Sequence, residues 1–214
     1  MNKIGILSQS DGSSDWKQRD TRVLCSVNGP IEVKPRSEIP NRATFELLVS
    51  PISGVSGTKE RFLASRILSV LEDAVLSTNY PRTLIQVNVQ IVEGDENDLL
   101  AAAINATVLA FLDAGIAMKY MPCAISCAWK NPKETQANEN AMVDYPAEKS
   151  TIEQPVHITM CYTVSADPKS LLFLESSGMI PEEDLFSVLA SAESRVDEVA
   201  QKLRQVVLDC RHVA

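Results

Sequence analysis

Histidine is scarce in this chain, and so are other features on which many active sites depend. There are only two histidines, so a Ser-His-Asp arrangement would have to use His157 or His212. His157 falls inside a strand-like pattern, and His212 lies near the end of the sequence. No glycine-rich Walker-type loop is present to hold a nucleoside phosphate. The sequence therefore gives little support to these kinds of catalysis.

The sequence is also poor in ligands for a metal ion. Cys123 and Cys127 are the only close pair among the five cysteines. Residues four apart along a strand face the same side, which suits two small buried residues. A metal site would need further ligands, so we favour the buried pair and expect no metal or other cofactor. The odd number of cysteines favours a reducing compartment.

Positive charge is in deficit. Lys and Arg number 20 against 28 Asp and Glu, which gives a formal net charge of -8. A free-standing nucleic-acid-binding protein usually has an excess of basic residues. Any contact with RNA must therefore come from a local patch or from partner subunits. Aromatic residues are only 5% of the chain, so we expect an aliphatic core.

Long hydrophobic runs are missing as well. No apolar stretch approaches the length of a membrane-spanning helix, and the first residues turn polar too soon for a secretory signal. We expect no membrane association. What remains is typical of one globular domain over residues 1–214.

Periodicity predicts strands, a helix, a strand, a second helix, more strands and a final helix, which is an α/β order. The predicted strands are Thr21–Val27, Thr44–Val49, Leu84–Val92, Cys123–Trp129, Pro155–Val164 and Ser170–Glu175, and the predicted helices are Lys59–Leu76, Asp98–Ala114 and one starting near Pro181. Asn28–Pro30 is interpreted as a turn that ends the first strand, and residues 130–140 as an exposed loop. The second helix is apolar or small nearly all round, so it should be buried on most sides.

Short motifs along the chain resemble, in their order and spacing, those of the RNase PH family of phosphorolytic exoribonucleases. The resemblance implies an RNase PH-like fold (ribosomal protein S5 domain 2-like), a layered mixed sheet with packed helices. The motifs are Asp20–Val23, Gly29–Glu32, Pro51–Thr58, Tyr80–Arg82, Ala103–Ala106 and Asp113–Ile116.

The same resemblance implies that the phosphate site is degenerate. In the family, the loop before the second helix ends in Gly-(Thr/Ser)-Arg, which holds the attacking phosphate. Counting back from Asp113–Gly115, those functional positions fall on Leu99 and Leu100. Leucine cannot donate a charge-assisted hydrogen bond, and both leucines are explained equally well as core residues. Acidic residues nearby would repel phosphate; they are Glu93, Asp95, Glu96 and Asp98.

The family's pair of acids is also incomplete. Asp144 matches the first position, whereas no carboxylate stands at the second, near Gln154–Val156. Glu153 is close but is better explained as a surface residue. Asp144 is then a residual acid position, and a structural turn or cap residue is the alternative interpretation. We expect no catalytic residue and no enzyme activity.

The basic residues that contact RNA in the family are also fewer in this chain. Active relatives carry adjacent arginines near the start of the first helix, where this chain has Thr58 and Lys59. Lysine keeps one charge but lacks the bidentate geometry of arginine. The candidate RNA-binding residues are Lys59, Arg61, Arg82 and Arg36, with ordinary solvated side chains as the alternative.

Within the family, the chain most resembles ring subunits of the eukaryotic RNA exosome. That resemblance implies a six-membered hetero-oligomeric ring of RNase PH-like subunits, S1/KH cap subunits, and RNA threaded through the channel. It also implies a structural role in 3′-to-5′ RNA processing and degradation (rRNA processing, mRNA turnover, RNA surveillance) in nucleus, nucleolus and cytoplasm. The alternatives are an active phosphate-dependent 3′-to-5′ exoribonuclease, or an unrelated α/β domain with chance matches.

Overall fold

The described residues form two sheets and three long helices, which confirms the α/β prediction. The computed structural model describes residues 2–129, 142–143, 156–164 and 169–211. In chain order the elements are β1 (Lys3–Ile4), β2 (Gly12–Gln18), β3 (Thr21–Glu32), β4 (Thr44–Ser50), α1 (Thr58–Ala74), β5 (Thr83–Glu93), α2 (Glu96–Asp113), β6 (Pro122–Trp129), β7 (Met142–Val143), β8 (Val156–Thr163), β9 (Leu171–Ser177) and α3 (Glu182–Arg211).

The first sheet has the strand order β1-β2-β3-β5-β4. Its pairings are antiparallel except between β4 and β5, which run parallel in the register Thr44–Leu84 to Ser50–Gln90. A parallel pair needs a crossover connection, and α1 supplies it. The core face of β5 carries the alternating residues Ile85, Val87, Val89 and Ile91, all buried.

The second sheet has the order β7-β6-β8-β9 and is antiparallel throughout. Helix α2 lies between the two sheets and contacts β2 and β3 of the first and β6 and β8 of the second. Every residue from Asp98 to Phe111 is buried, which confirms the prediction of a helix buried on most sides. Its apolar surface therefore forms the centre of the core.

Two buried polar contacts fix α2 in this position. The Asn105 side chain donates to the Ala124 carbonyl (2.8 Å) and accepts from the Ala124 N–H (2.9 Å). The Ser14 hydroxyl donates to the Ala106 carbonyl (2.6 Å). Gly12 lets β2 approach the helix, because a Cβ there would lie 2.3 Å from the Ala110 carbonyl oxygen. Asn105 and Ala106 thus bond α2 to β6 of the second sheet and to β2 of the first.

The structure corrects one predicted boundary and adds a strand. β3 does not end at Asn28–Pro30: it continues to Glu32, with a register shift between Asn28 and Ile31. The Gly29 N–H is satisfied by Asp11 Oδ2 (2.8 Å) while the ladder resumes at Ile31, so the segment is a bulge within a strand rather than a turn. Strand β2 was not predicted from the sequence.

The remaining boundaries lie close to those predicted. Gly115, at φ +68°, ends α2 in the left-handed conformation. Helix α3 starts directly after Pro181 and buries much of the expected stripe, including Ala192, Val196 and Leu203. The predicted loop at residues 130–140 lies outside the described residues. Within the part of the chain that the structure describes, no helix has the length and hydropathy to cross a membrane.

Candidate functional site

The loop between β5 and α2 occupies the place of the predicted phosphate site. β5 ends at Glu93, Gly94 and Asp95 follow, and α2 begins at Glu96. Thr21, at the start of β3, packs directly on this loop: the Asp95 N–H donates to Thr21 Oγ1 (3.3 Å). A Cβ at Gly94 would lie 2.8 Å from Thr21 Cγ2, so only glycine fits without displacement. The loop is therefore held close to the first sheet.

Leu99 and Leu100 face the core and offer nothing to an anion. Their exposed fractions are 8% and 6%, and both belong to the main apolar cluster. Their burial agrees with the interpretation of both as core residues. The first turn of α2 therefore directs two leucines inwards, where a phosphate-binding loop would need hydrogen-bond donors.

A buried charge cluster closes the start of α2. Arg19 lies in the turn between β2 and β3 at φ +54°, and its Nη1 is 3.0 and 3.3 Å from the two carboxylate oxygens of Asp98. The Ser126 hydroxyl, from β6, donates to Asp98 Oδ1. The Asp98 side chain is only 3% exposed. Three separate parts of the fold therefore meet on one carboxylate.

The carboxylates around this loop are partly neutralised. Asp98 pairs with Arg19, and Glu96 Oε1 accepts a hydrogen bond from Lys59 Nζ (2.9 Å). Repulsion of phosphate by the loop is therefore weaker than the sequence count of four acids indicated. Glu93 and Asp95 are exposed and keep the entrance acidic.

The four candidate RNA-binding residues separate into two pairs. Lys59 and Arg61 are exposed at the start of α1, shortly after the end of β4. Arg36 and Arg82 lie at the opposite end of the sheet, where β5 begins. At about 3.3 Å per residue, the ends of β5 are roughly 30 Å apart. The structure thus does not bring the four together into one patch.

Each member of the first pair is fully at the surface. The hydrogen bond to Glu96, and then its charge, raise the pKa of Lys59. Both side chains of that ion pair are 79% exposed, so water competes strongly for the contact. Arg61 is exposed as well.

His157 lies close to this site from the side of the second sheet. Burial lowers its pKa, while the nearby carboxylates of Asp95 and Asp98 act in the opposite direction. The prediction that His157 lies inside a strand is confirmed by β8, but its closeness to this site was not predicted. Asp144 and Glu153 lie outside the described residues, as does His212.

A second group of charges lines an open depression beside the site. Arg22 holds Asp15 by two hydrogen bonds, Nε to Oδ1 (2.9 Å) and Nη2 to Oδ2 (2.6 Å). Lys17 and Glu93 complete the lining. With as many acids as bases, this depression has no net charge to attract an anion.

Four of the five cysteines are buried free thiols, and Cys210 is partly exposed. Cys123 and Cys127 are buried on β6, as expected for two small residues facing one side. Burial raises the pKa of Cys123 to about 12, which keeps it protonated. Among the described residues, no group of three or more His, Cys, Asp or Glu side chains is arranged to hold a metal ion.

Comparison with known proteins gives consistent results. The RNase PH family model, the 3′ exoribonuclease family, domain 1, matches residues 2–117. The exosome complex component rrp46 of Schizosaccharomyces pombe is 53% identical over 210 residues, covering 98% of this chain and 89% of that protein. Exosome complex component RRP46 of Saccharomyces cerevisiae is 37% identical over 215 residues, covering 97% and 94%. The crystal structure of rice (Oryza sativa) Rrp46 superposes with a TM-score of 0.78 at 24% identity, covering 95% and 92%.

Proposed function

This chain belongs to the RNase PH family of 3′ exoribonucleases, and we propose that it is a non-catalytic ring subunit of the RNA exosome. Two relatives that match nearly its whole length are named exosome complex components. The proposed work of the subunit is to bury surface against neighbouring RNase PH-like subunits and to form part of the RNA path.

The burial of Leu99 and Leu100 beneath the start of α2 carries this proposal. Phosphorolysis needs donors or cations around the attacking phosphate and the transferred phosphoryl group. Here the guanidinium of Arg19, which lies against the first turn of α2, is already engaged by Asp98. A bound phosphate would have to displace that buried carboxylate while finding no donor on either leucine.

The proposed partners are five other RNase PH-like subunits in a hetero-oligomeric ring, S1/KH cap subunits, and RNA passing through the channel. The proposed locations are nucleus, nucleolus and cytoplasm. Candidate RNA contacts are Arg36, Arg82, Lys59 and Arg61, and Asp144 is proposed as a residual acid position without a catalytic role. A net charge of -8 suits this arrangement, since phosphate contacts add up across several subunits.

The test is phosphate-dependent degradation of a single-stranded RNA by the purified chain. We expect no release of nucleoside diphosphates with or without phosphate, in a sample shown by circular dichroism to be folded. An active phosphorolytic family member serves as positive control. Degradation that requires phosphate and is lost in Asp144→Ala would overturn the proposal and favour an active exoribonuclease.

A further inference from the structure

We draw no further inference here: the strongest candidate, the surface patch of exposed apolar side chains at and around the connection between β4 and α1 (Leu48, Ile52, Val55 and Phe62), carries nothing because, in the part of the chain that the structure describes, nothing shows what covers it beyond the neighbouring subunits already proposed.

Discussion

The basic side chains near the two ends of strand β5 differ in whether they are paired with carboxylates. At the end that leads into α2, Arg19 is tied to a buried Asp98, and Lys59 is tied to Glu96. At the end where β5 begins, Lys34, Arg36 and Arg42 extend into solvent. Asp98 is buried, so its ion pair with Arg19 is committed to the fold, whereas both side chains of the Lys59–Glu96 pair are exposed and that pair contributes little. The second end retains charge that a ligand could use.

The largest expected effect comes from placing a charge at the start of α2, which we call the closed end because Arg19 and Ser126 both bond to Asp98 there. Leu100→Arg would restore the residue type that the family resemblance implies there, but at a position only 6% exposed. We expect unfolding to become easier by about 3 kcal/mol or more, because a guanidinium would be buried without a carboxylate. This corresponds to a fall in Tm of about 6–12 °C for a chain of this size. Thermal denaturation followed by circular dichroism measures it.

The matched control is Leu112→Arg, on the same helix but 38% exposed. It should leave Tm nearly unchanged, since its guanidinium can reach water. If both variants melt at the same temperature as the wild type, the start of α2 is more open than the structure indicates. Neither variant is expected to gain phosphorolytic activity.

The next effect compares two ion pairs in the same turn of α2. Asp98→Asn removes a buried charge that faces Arg19 and Ser126, and we expect a loss of about 2 kcal/mol, since the guanidinium keeps partial access to water. Glu96→Gln removes a charge of the same sign from an ion pair whose side chains are 79% exposed, and should change stability little. Urea denaturation of both variants measures the difference. Equal losses would contradict the distinction between buried and exposed pairs.

The sequence predicted the parts of the fold in which each residue's environment follows from a local period. β5 alternates strictly, and α2 is apolar all round, so both were found with their buried faces. β2 was missed because, apart from Trp16, its buried residues are polar or glycine and show no apolar alternation. The Ser13 N–H is satisfied by Asp113 Oδ2 (2.8 Å), and the Ser14 hydroxyl by the Ala106 carbonyl (2.6 Å). Partners that lie far away in sequence leave no periodic pattern.

At the candidate site, too, only features that follow from local sequence could be predicted. Leu99 and Leu100 were predicted as core residues from the composition of their helix. The pairing of Arg19 with Asp98 joins residues 79 positions apart and was not predicted, since neither residue type is unusual in a turn or a first helical turn. The separation of Lys59 from Arg36 and Arg82 was equally invisible, because it depends on which end of the sheet each loop reaches.

A smaller effect distinguishes the two arginines that adopt a left-handed backbone. Arg19 has φ +54° and Arg82 has φ +59°, one at each end of the first sheet. Glycine relieves that backbone strain but adds entropy to the unfolded chain, and the two terms are each about 1 kcal/mol. Arg82→Gly should therefore be close to neutral, whereas Arg19→Gly should lose about 1–2 kcal/mol because Asp98 loses its partner. Chemical denaturation of the pair checks this; a neutral Arg19→Gly would mean that Asp98 does not need its guanidinium.

The smallest effect concerns pH and the closed end alone. Burial lowers the pKa of His157 below the 6.5 of an ordinary histidine, against the pull of Asp95 and Asp98. Between the folded and unfolded pKa values, the unfolded chain binds more protons, so this residue's contribution to stability is complete above about pH 6.5 and is lost as the pH falls below it. His157→Gln should therefore reduce the fall in Tm between pH 7.5 and pH 5.5. If His157→Gln enlarges the fall in Tm instead, Asp95 and Asp98 outweigh burial and stabilise the charged form of the histidine. The electrostatic potential at the start of α2 would then be more negative than its ion pairs indicate.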